Sequence, residues 1–182
     1  MIYIVRHGET DWNVEGRYQG RQDTELNEKG RSQAREIKEK LKDVKFDKII
    51  SSPLKRAYET AEIIANGFPI EVDSRLIERS NGELEGKLRE EIHQIVNYND
   101  PKETRYGIEN INDLRARVFD FCKHLEEISE GKNVLVVTHA GVCIYVRCYF
   151  EGEPPEMNYR SYRLNNCEVI TYEGMKKNER VH

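Results

Sequence analysis

Short apolar runs rich in β-branched residues alternate along this chain with longer stretches whose apolar residues recur every three or four positions. That alternation constrains the fold more than any other feature. Strands separated by helices are most simply laid parallel, so the pattern predicts a three-layer α/β/α arrangement, a mainly parallel central sheet with helices on both faces. Residues 2–5, 48–51, 71–76 and 134–138 read as its strands, and 161–164 with 168–172 as a late hairpin. The first helix reads as 27–42, opening on Asn27 as N-cap and placing Ala34, Ile37 and Leu41 on one stripe. A second starts at Ser52-Pro53, with a hydroxyl at the cap and proline at the first helical position, and stops near Asn66-Gly67. Its apolar side carries Leu54, Ala57, Ala61 and Ile64. A third spans 111–128 with Leu114, Val118, Phe121, Cys122 and Leu125 inward and ends at Gly131, and a last starts near Gly141. Residues 88–107 follow neither period.

At 182 residues the chain suits one domain, which we place at 1–173, followed by a polar tail, 174–182, read as disordered. Its 34% of charged residues sum to a net charge of −4, and the basic residues are dispersed, so nucleic acid is not expected as a partner. No apolar run approaches the length of a membrane span and the first residues show no signal core, so no membrane association and a cytoplasmic location are expected. Cys122, Cys143, Cys148 and Cys167 form no C-x-x-C pair and read as buried thiols, with no structural disulfide or metal site expected.

Ligands of open α/β sheets bind beyond the carboxyl ends of the strands, and two histidines stand at such ends. His7 follows the first strand in Arg6-His7-Gly8-Glu9-Thr10, and His139 follows another in Thr138-His139-Ala140-Gly141. Gly8 permits a tight turn, Arg6 supplies a charged fork for phosphate oxygens, and Arg56 falls in the first turns of the helix after Ser51-Ser52. Two arginines and two histidines at one edge make an anion site. Phosphoryl transfer needs a nucleophile, positive charge around the equatorial oxygens and an acid for the leaving alkoxide. A neutral His7 suits the first role, while Arg6, Arg56 and a protonated His139 suit the second. Glu78, at the end of the strand ending near Leu76, suits the third, since a neighbouring phosphate dianion favours a protonated carboxyl.

Arg6-His7-Gly8-Glu9-Thr10 with Trp12-Asn13 resembles the signature of the histidine phosphatase superfamily, phosphoglycerate-mutase-like branch. Gln19-Gly20-Arg21-Gln22-Asp23, Ser51 through Ala57, Leu76-Ile77-Glu78 and Val137 through Gly141 continue the likeness in order, over roughly three quarters of the chain. The resemblance implies His7 as phosphohistidine nucleophile and Glu78 as proton donor and later base for water. It implies Arg6, Arg56 and His139 as the phosphoryl clamp, Asn13 as a helper of the phosphate pocket, and Gln19 with Gly20 at the substrate mouth. It implies no cofactor and no metal, with a small phosphorylated metabolite as substrate. The chain departs from the pattern at Leu84 and at Arg21, where aromatics are frequent, and in Gly107-Ile108-Glu109-Asn110, where Gly-Glu-Ser is common. Tyr98, Lys102, Arg105 and Tyr106 offer themselves as substrate contacts, whereas His93, His124 and His182 read as surface or structural, and Tyr159 and Tyr162 as core or strand-face residues.

Three readings differ in class: a phosphatase of small monoesters, a phosphoglycerate mutase-type phosphotransferase that must exclude water while it returns the group, and a non-catalytic phosphate-binding module. A compact chain favours the first. The substrate and the oligomeric state are not written in the sequence.

Overall fold

The computed structural model describes residues 1–97, 100 and 102–173. Tyr98, His182 and the tail 174–182 lie outside the described residues. Five strands, β1 (Ile2–Arg6), β2 (Lys48–Ser51), β3 (Ile70–Val72), β4 (Val134–Thr138) and β5 (Val169–Tyr172), form one sheet in the order β3-β2-β4-β1-β5. All neighbours are parallel except β5, which runs antiparallel to β1. The helices are α1 (Asp11–Val14), α2 (Glu28–Lys40), α3 (Lys55–Ala65), α4 (Arg89–Ile92), α5 (Ile111–Ile128) and α6 (Ala140–Glu151).

Strand periodicity sorts the core into two layers. Ile2 and Ile4 of β1 point with Val134 and Val136 into the layer covered by α5 and α6, where Leu114, Val118 and Phe121 meet them. Val5, Ile49, Leu135 and Val137 point the other way and pack against Ala34 and Ile37 of α2 and Ala57, Ala61 and Ile64 of α3. β4, buried along its whole length, has apolar residues at consecutive positions because both faces are covered. Each fully buried aliphatic side chain stabilises the fold by roughly 1.5–3 kcal/mol relative to exposure. All four cysteines are buried and free. No helix among the described residues is long and apolar enough to cross a membrane.

Three expectations need correction, and the ambiguous stretch 88–107 is resolved in its described residues. The segment 71–76 is not a strand throughout: β3 ends at Val72, and the Asp73 side chain caps a 3₁₀ turn, Ser74–Leu76, by accepting from the Arg75 amide at 2.8 Å. The late hairpin is absent, because Tyr159–Tyr162 form a 3₁₀ turn and β5 pairs with β1 instead. Helix α3 begins at Lys55 rather than after Ser52. Its first amide is met from a distance, Lys55 N donating to Asp23 Oδ1 at 2.7 Å, which leaves the Ser52 hydroxyl for another partner. Finally, residues 88–107 hold the single turn α4 and a 3₁₀ turn, Arg105–Gly107, over a small core of Leu84, Ile92, Val96 and Ile108. Leu84 fills that core in place of an aromatic.

Candidate active site

Strand register brings the site together. Arg6 is paired with Thr138 in the parallel β1–β4 ladder, so the residues that follow them, His7 and His139, leave the sheet side by side, with ring centroids 5.2 Å apart. The His7 amide donates to the Thr138 carbonyl at 2.9 Å, continuing the ladder one step further. A cavity of about 920 Å³ opens there, lined by Arg6, His7, Arg56 and Glu78 with Asn13 and Gln19. Gly20 also borders it.

Every group around His7 is fixed. His7 Nδ1 lies 2.7 Å from the Gly8 carbonyl, which can only accept, so Nδ1 carries the proton and Nε2 keeps its lone pair. Burial pushes the His7 pKa well below its ordinary value, and the charges of Arg56 and Arg6 push it further. Gly8 has to be glycine, since a Cβ there would stand 2.5 Å from the Gly30 carbonyl oxygen. His139 accepts or donates through Nε2 to Ser52 Oγ at 2.6 Å, and its Nδ1 is buried without a partner. Burial, then the charges of Arg56, His7 and Arg6, lower the His139 pKa well below its ordinary value.

Arg56, 1% exposed, donates to the carbonyls of Gly20 and Gln22 at 2.7 Å each, and its Nε has no partner. Burial draws its pKa down to about 10 against the pull of Glu78, Asp23 and Glu85. Arg6 donates from Nη1 to the Leu164 carbonyl at 2.7 Å, its Nε likewise unpaired, and burial followed by Arg163 lowers it to about 10. Both remain charged at neutral pH. Glu78 accepts from the amides of Arg79 at 2.8 Å and Gly141 at 3.0 Å, so the start of α6 aims its carboxyl. It sits in the irregular stretch after the 3₁₀ turn rather than at a strand end.

Asn13 closes a capping box with Thr10, and its Oδ1 takes a further bond at 3.1 Å from Asn166 Nδ2, which also donates to the His7 carbonyl at 3.0 Å. Gln19 Oε1 receives the hydroxyls of Thr10 and Thr24 at 2.9 and 2.5 Å. Sequence reasoning missed Ser52, Asn166 and the basic mouth. Arg89, Arg160 and Arg163 line the cavity and an adjoining one of about 380 Å³ that shares Arg6 as a wall. Burial and Arg163 lower the Arg89 pKa. No ion pair with a carboxylate is formed by these three among the described residues. His93, read as surface or structural, lines the cavity and meets the Tyr18 hydroxyl at 2.8 Å. Tyr159 borders it too, while Tyr162 is core. Of the offered substrate contacts, Arg105 lines the cavity but is tied to Glu103 at 2.9 Å, and Lys102 and Tyr106 do not line it.

A family model for the histidine phosphatase superfamily (branch 1) matches residues 2–182. The chain belongs to that superfamily. It is 35% identical over 182 residues to the uncharacterized phosphatase PhoE of Bacillus subtilis, covering 99% of this chain and 91% of that one. It is 36% identical over 166 residues to phosphoglycerate mutase-like protein 4 of Arabidopsis thaliana, covering 85% and 71%. Among solved structures, YhfR of Bacillus stearothermophilus superposes with a TM-score of 0.81 at 34% identity over 95% of this chain and 91% of that chain. A phosphoserine phosphatase of Entamoeba histolytica in complex with 3-phosphoglyceric acid superposes with a TM-score of 0.79 at 29% identity over 92% and 87%. The phosphoglycerate-mutase-like fold and a phosphatase or mutase type of activity follow for the family member described here.

Proposed function

We propose that this protein is a phosphatase of small phosphate monoesters that works through a covalent phosphohistidine on His7. The observation that carries the reading is the Nδ1 bond to the Gly8 carbonyl, which leaves Nε2 as a lone-pair donor inside a pocket of buried guanidinium groups. In the first step the Nε2–P bond forms as the ester P–O bond breaks, and the Glu78 carboxyl gives its proton to the departing alkoxide. In the second, the Glu78 carboxylate takes a proton from water as its oxygen attacks phosphorus, releasing inorganic phosphate and neutral His7. The unpartnered Nε atoms of Arg6 and Arg56 and the Nδ1 of His139 are the donors that would meet the equatorial oxygens, with the Ser52 hydroxyl then donating to His139 Nε2. Asn13 would add its amide to that pocket, and Gln19 with Gly20 would border the alcohol part of the substrate.

The cluster of Arg89, Arg160 and Arg163 supports an ester whose far end carries a carboxylate, as 3-phosphoglycerate does. No step calls on a metal or an organic cofactor. The reading is tested by rapid-quench labelling with ³²P-labelled 3-phosphoglycerate, beside phosphate release and interconversion of 2- and 3-phosphoglycerate. The wild type is expected to acquire an acid-labile phosphate and release phosphate at an equal rate with or without chelator. His7→Ala is expected to do neither. Turnover by His7→Ala would overturn the phosphohistidine, and interconversion outrunning release would make the protein a mutase.

A further inference from the structure

Residues 77–81, which carry Glu78, belong to no regular element, so their backbone position depends on side chains sent from elsewhere. Two guanidinium groups reach the main-chain carbonyl of Glu78: Arg21 Nε at 3.3 Å and Arg117 Nη2 at 3.4 Å. They come from separate elements, one from the loop after Gly20 and one from α5. A single carboxylate joins them. Glu109 accepts Arg117 Nε at 2.8 Å and Arg117 Nη2 at 2.9 Å, and lies 3.3 Å from Arg21 Nη2. The same residue holds the other end of the segment, accepting from the Ser80 amide at 3.3 Å on its side chain and from Arg79 Nε at 2.9 Å on its carbonyl. Its own amide donates to the Ser80 carbonyl at 3.0 Å. Burial would raise the Glu109 pKa, but the Arg117 bond and the charges of Arg117 and Arg21 more than offset it, so the group stays ionised.

Resting on the reading of Glu78 as the acid, we propose that Glu109 is a positioning residue for proton transfer, with Arg21 and Arg117 as the arms through which it holds Glu78 against the leaving oxygen. One departure from the family pattern then acquires a purpose. Arg21, standing where an aromatic is frequent, is one arm of the clamp, and Glu109-Asn110 supplies the hub and the N-cap of α5, Asn110 Oδ1 accepting from the Asn112 amide at 2.8 Å. Side-chain exposure of 12% at Glu109 and 18% at Arg117, against 41% at Arg21, makes Arg21 the arm that can be removed with least harm to the fold.

A misplaced acid slows only those esters that need one. A p-nitrophenolate leaves without protonation, whereas the secondary alkoxide of 2-phosphoglycerate does not. First-turnover phosphorylation of His7 should therefore be measured with both esters for the wild type, Glu109→Gln, Arg21→Ala and Glu78→Gln. General acids contribute about 10²–10⁴-fold, so Glu78→Gln is expected to slow 2-phosphoglycerate by at least about 10²-fold and p-nitrophenyl phosphate by less than about threefold. Glu109→Gln is expected to show the same selectivity at about tenfold, and Arg21→Ala at about threefold, both with KM within about twofold of wild type. If Glu109→Gln does not fold, as judged by circular dichroism, the selectivity of Arg21→Ala decides. Selective Glu78→Gln with unselective clamp variants would overturn the positioning role and leave the acid assignment standing. Unselective Glu78→Gln would overturn both.

Discussion

His7, Arg6, Arg56 and His139 hang from strand ends and the first turn of a long helix, whereas Arg89, Arg160 and Arg163 at the cavity mouth hang from a one-turn helix and a 3₁₀ segment. The first group is buried and held by specific bonds, with three atoms left over, Nε of Arg6, Nε of Arg56 and Nδ1 of His139. The second is half-buried or exposed and, among the described residues, forms no ion pair with a carboxylate. The contrast teaches that the reacting phosphoryl group meets a preorganised shell, which lowers a barrier, while the rest of the substrate meets loosely held charge, which raises occupancy. One region should control kcat and the other KM.

Substitutions can break that division. Arg56→Ala removes a preorganised charge and the two carbonyl contacts that hold the Gly20–Gln22 loop, so kcat/KM is expected to fall about 10²–10³-fold in steady-state assays, mostly in kcat. A change confined to KM would erase the distinction. Gly141→Ala sharpens it from the boundary: the new Cβ would stand 2.5 Å from Glu78 Oε1, the free end of a flexible side chain, so the carboxyl swings away while the fold adapts. The expected result is about a tenfold loss of kcat with the melting temperature almost unchanged. Arg163→Ala is expected to raise KM for 3-phosphoglycerate about fivefold, leave kcat within about twofold, and lose its effect in high salt. The smallest effect is on stability. The folded pKa values of His7 and His139 lie below the ordinary value, so the unfolded chain binds protons that the folded pocket refuses. Stability of the ligand-free protein is therefore full above pH about 6.5 and declines below it, by at most about 1.4 kcal/mol per pH unit for each ring. Urea midpoints at pH 7.5 and 5.5 measure this, and His139→Gln should flatten the decline.

What the sequence disclosed follows the same division. β1, β4 and α2 were readable because their apolar periods are long and both ends carry strong signals, and the parallel pattern alone implied that His7 and His139 share an edge. Ser52 was misread because a serine before a proline fits a helix cap equally well; in the fold Asp23, far away in the chain, meets the first helical amide while the Ser52 hydroxyl meets His139 as well as the Leu54 amide. Residues 71–76 look like a strand by composition, yet Asp73 and Arg75 bind each other locally and turn the chain. The basic mouth stayed hidden because its arginines come from short elements with no period, and Asn166 because its value lies in reaching His7 across the sheet.

The position of β1 bears on how the chain reaches its working form. β1 sits between β4 and β5, both far along the chain from it, so neither of its edges can be paired until those distant strands are in place. Closure over so many intervening residues is slow, and until it happens the apolar β1 is open to wrong pairing.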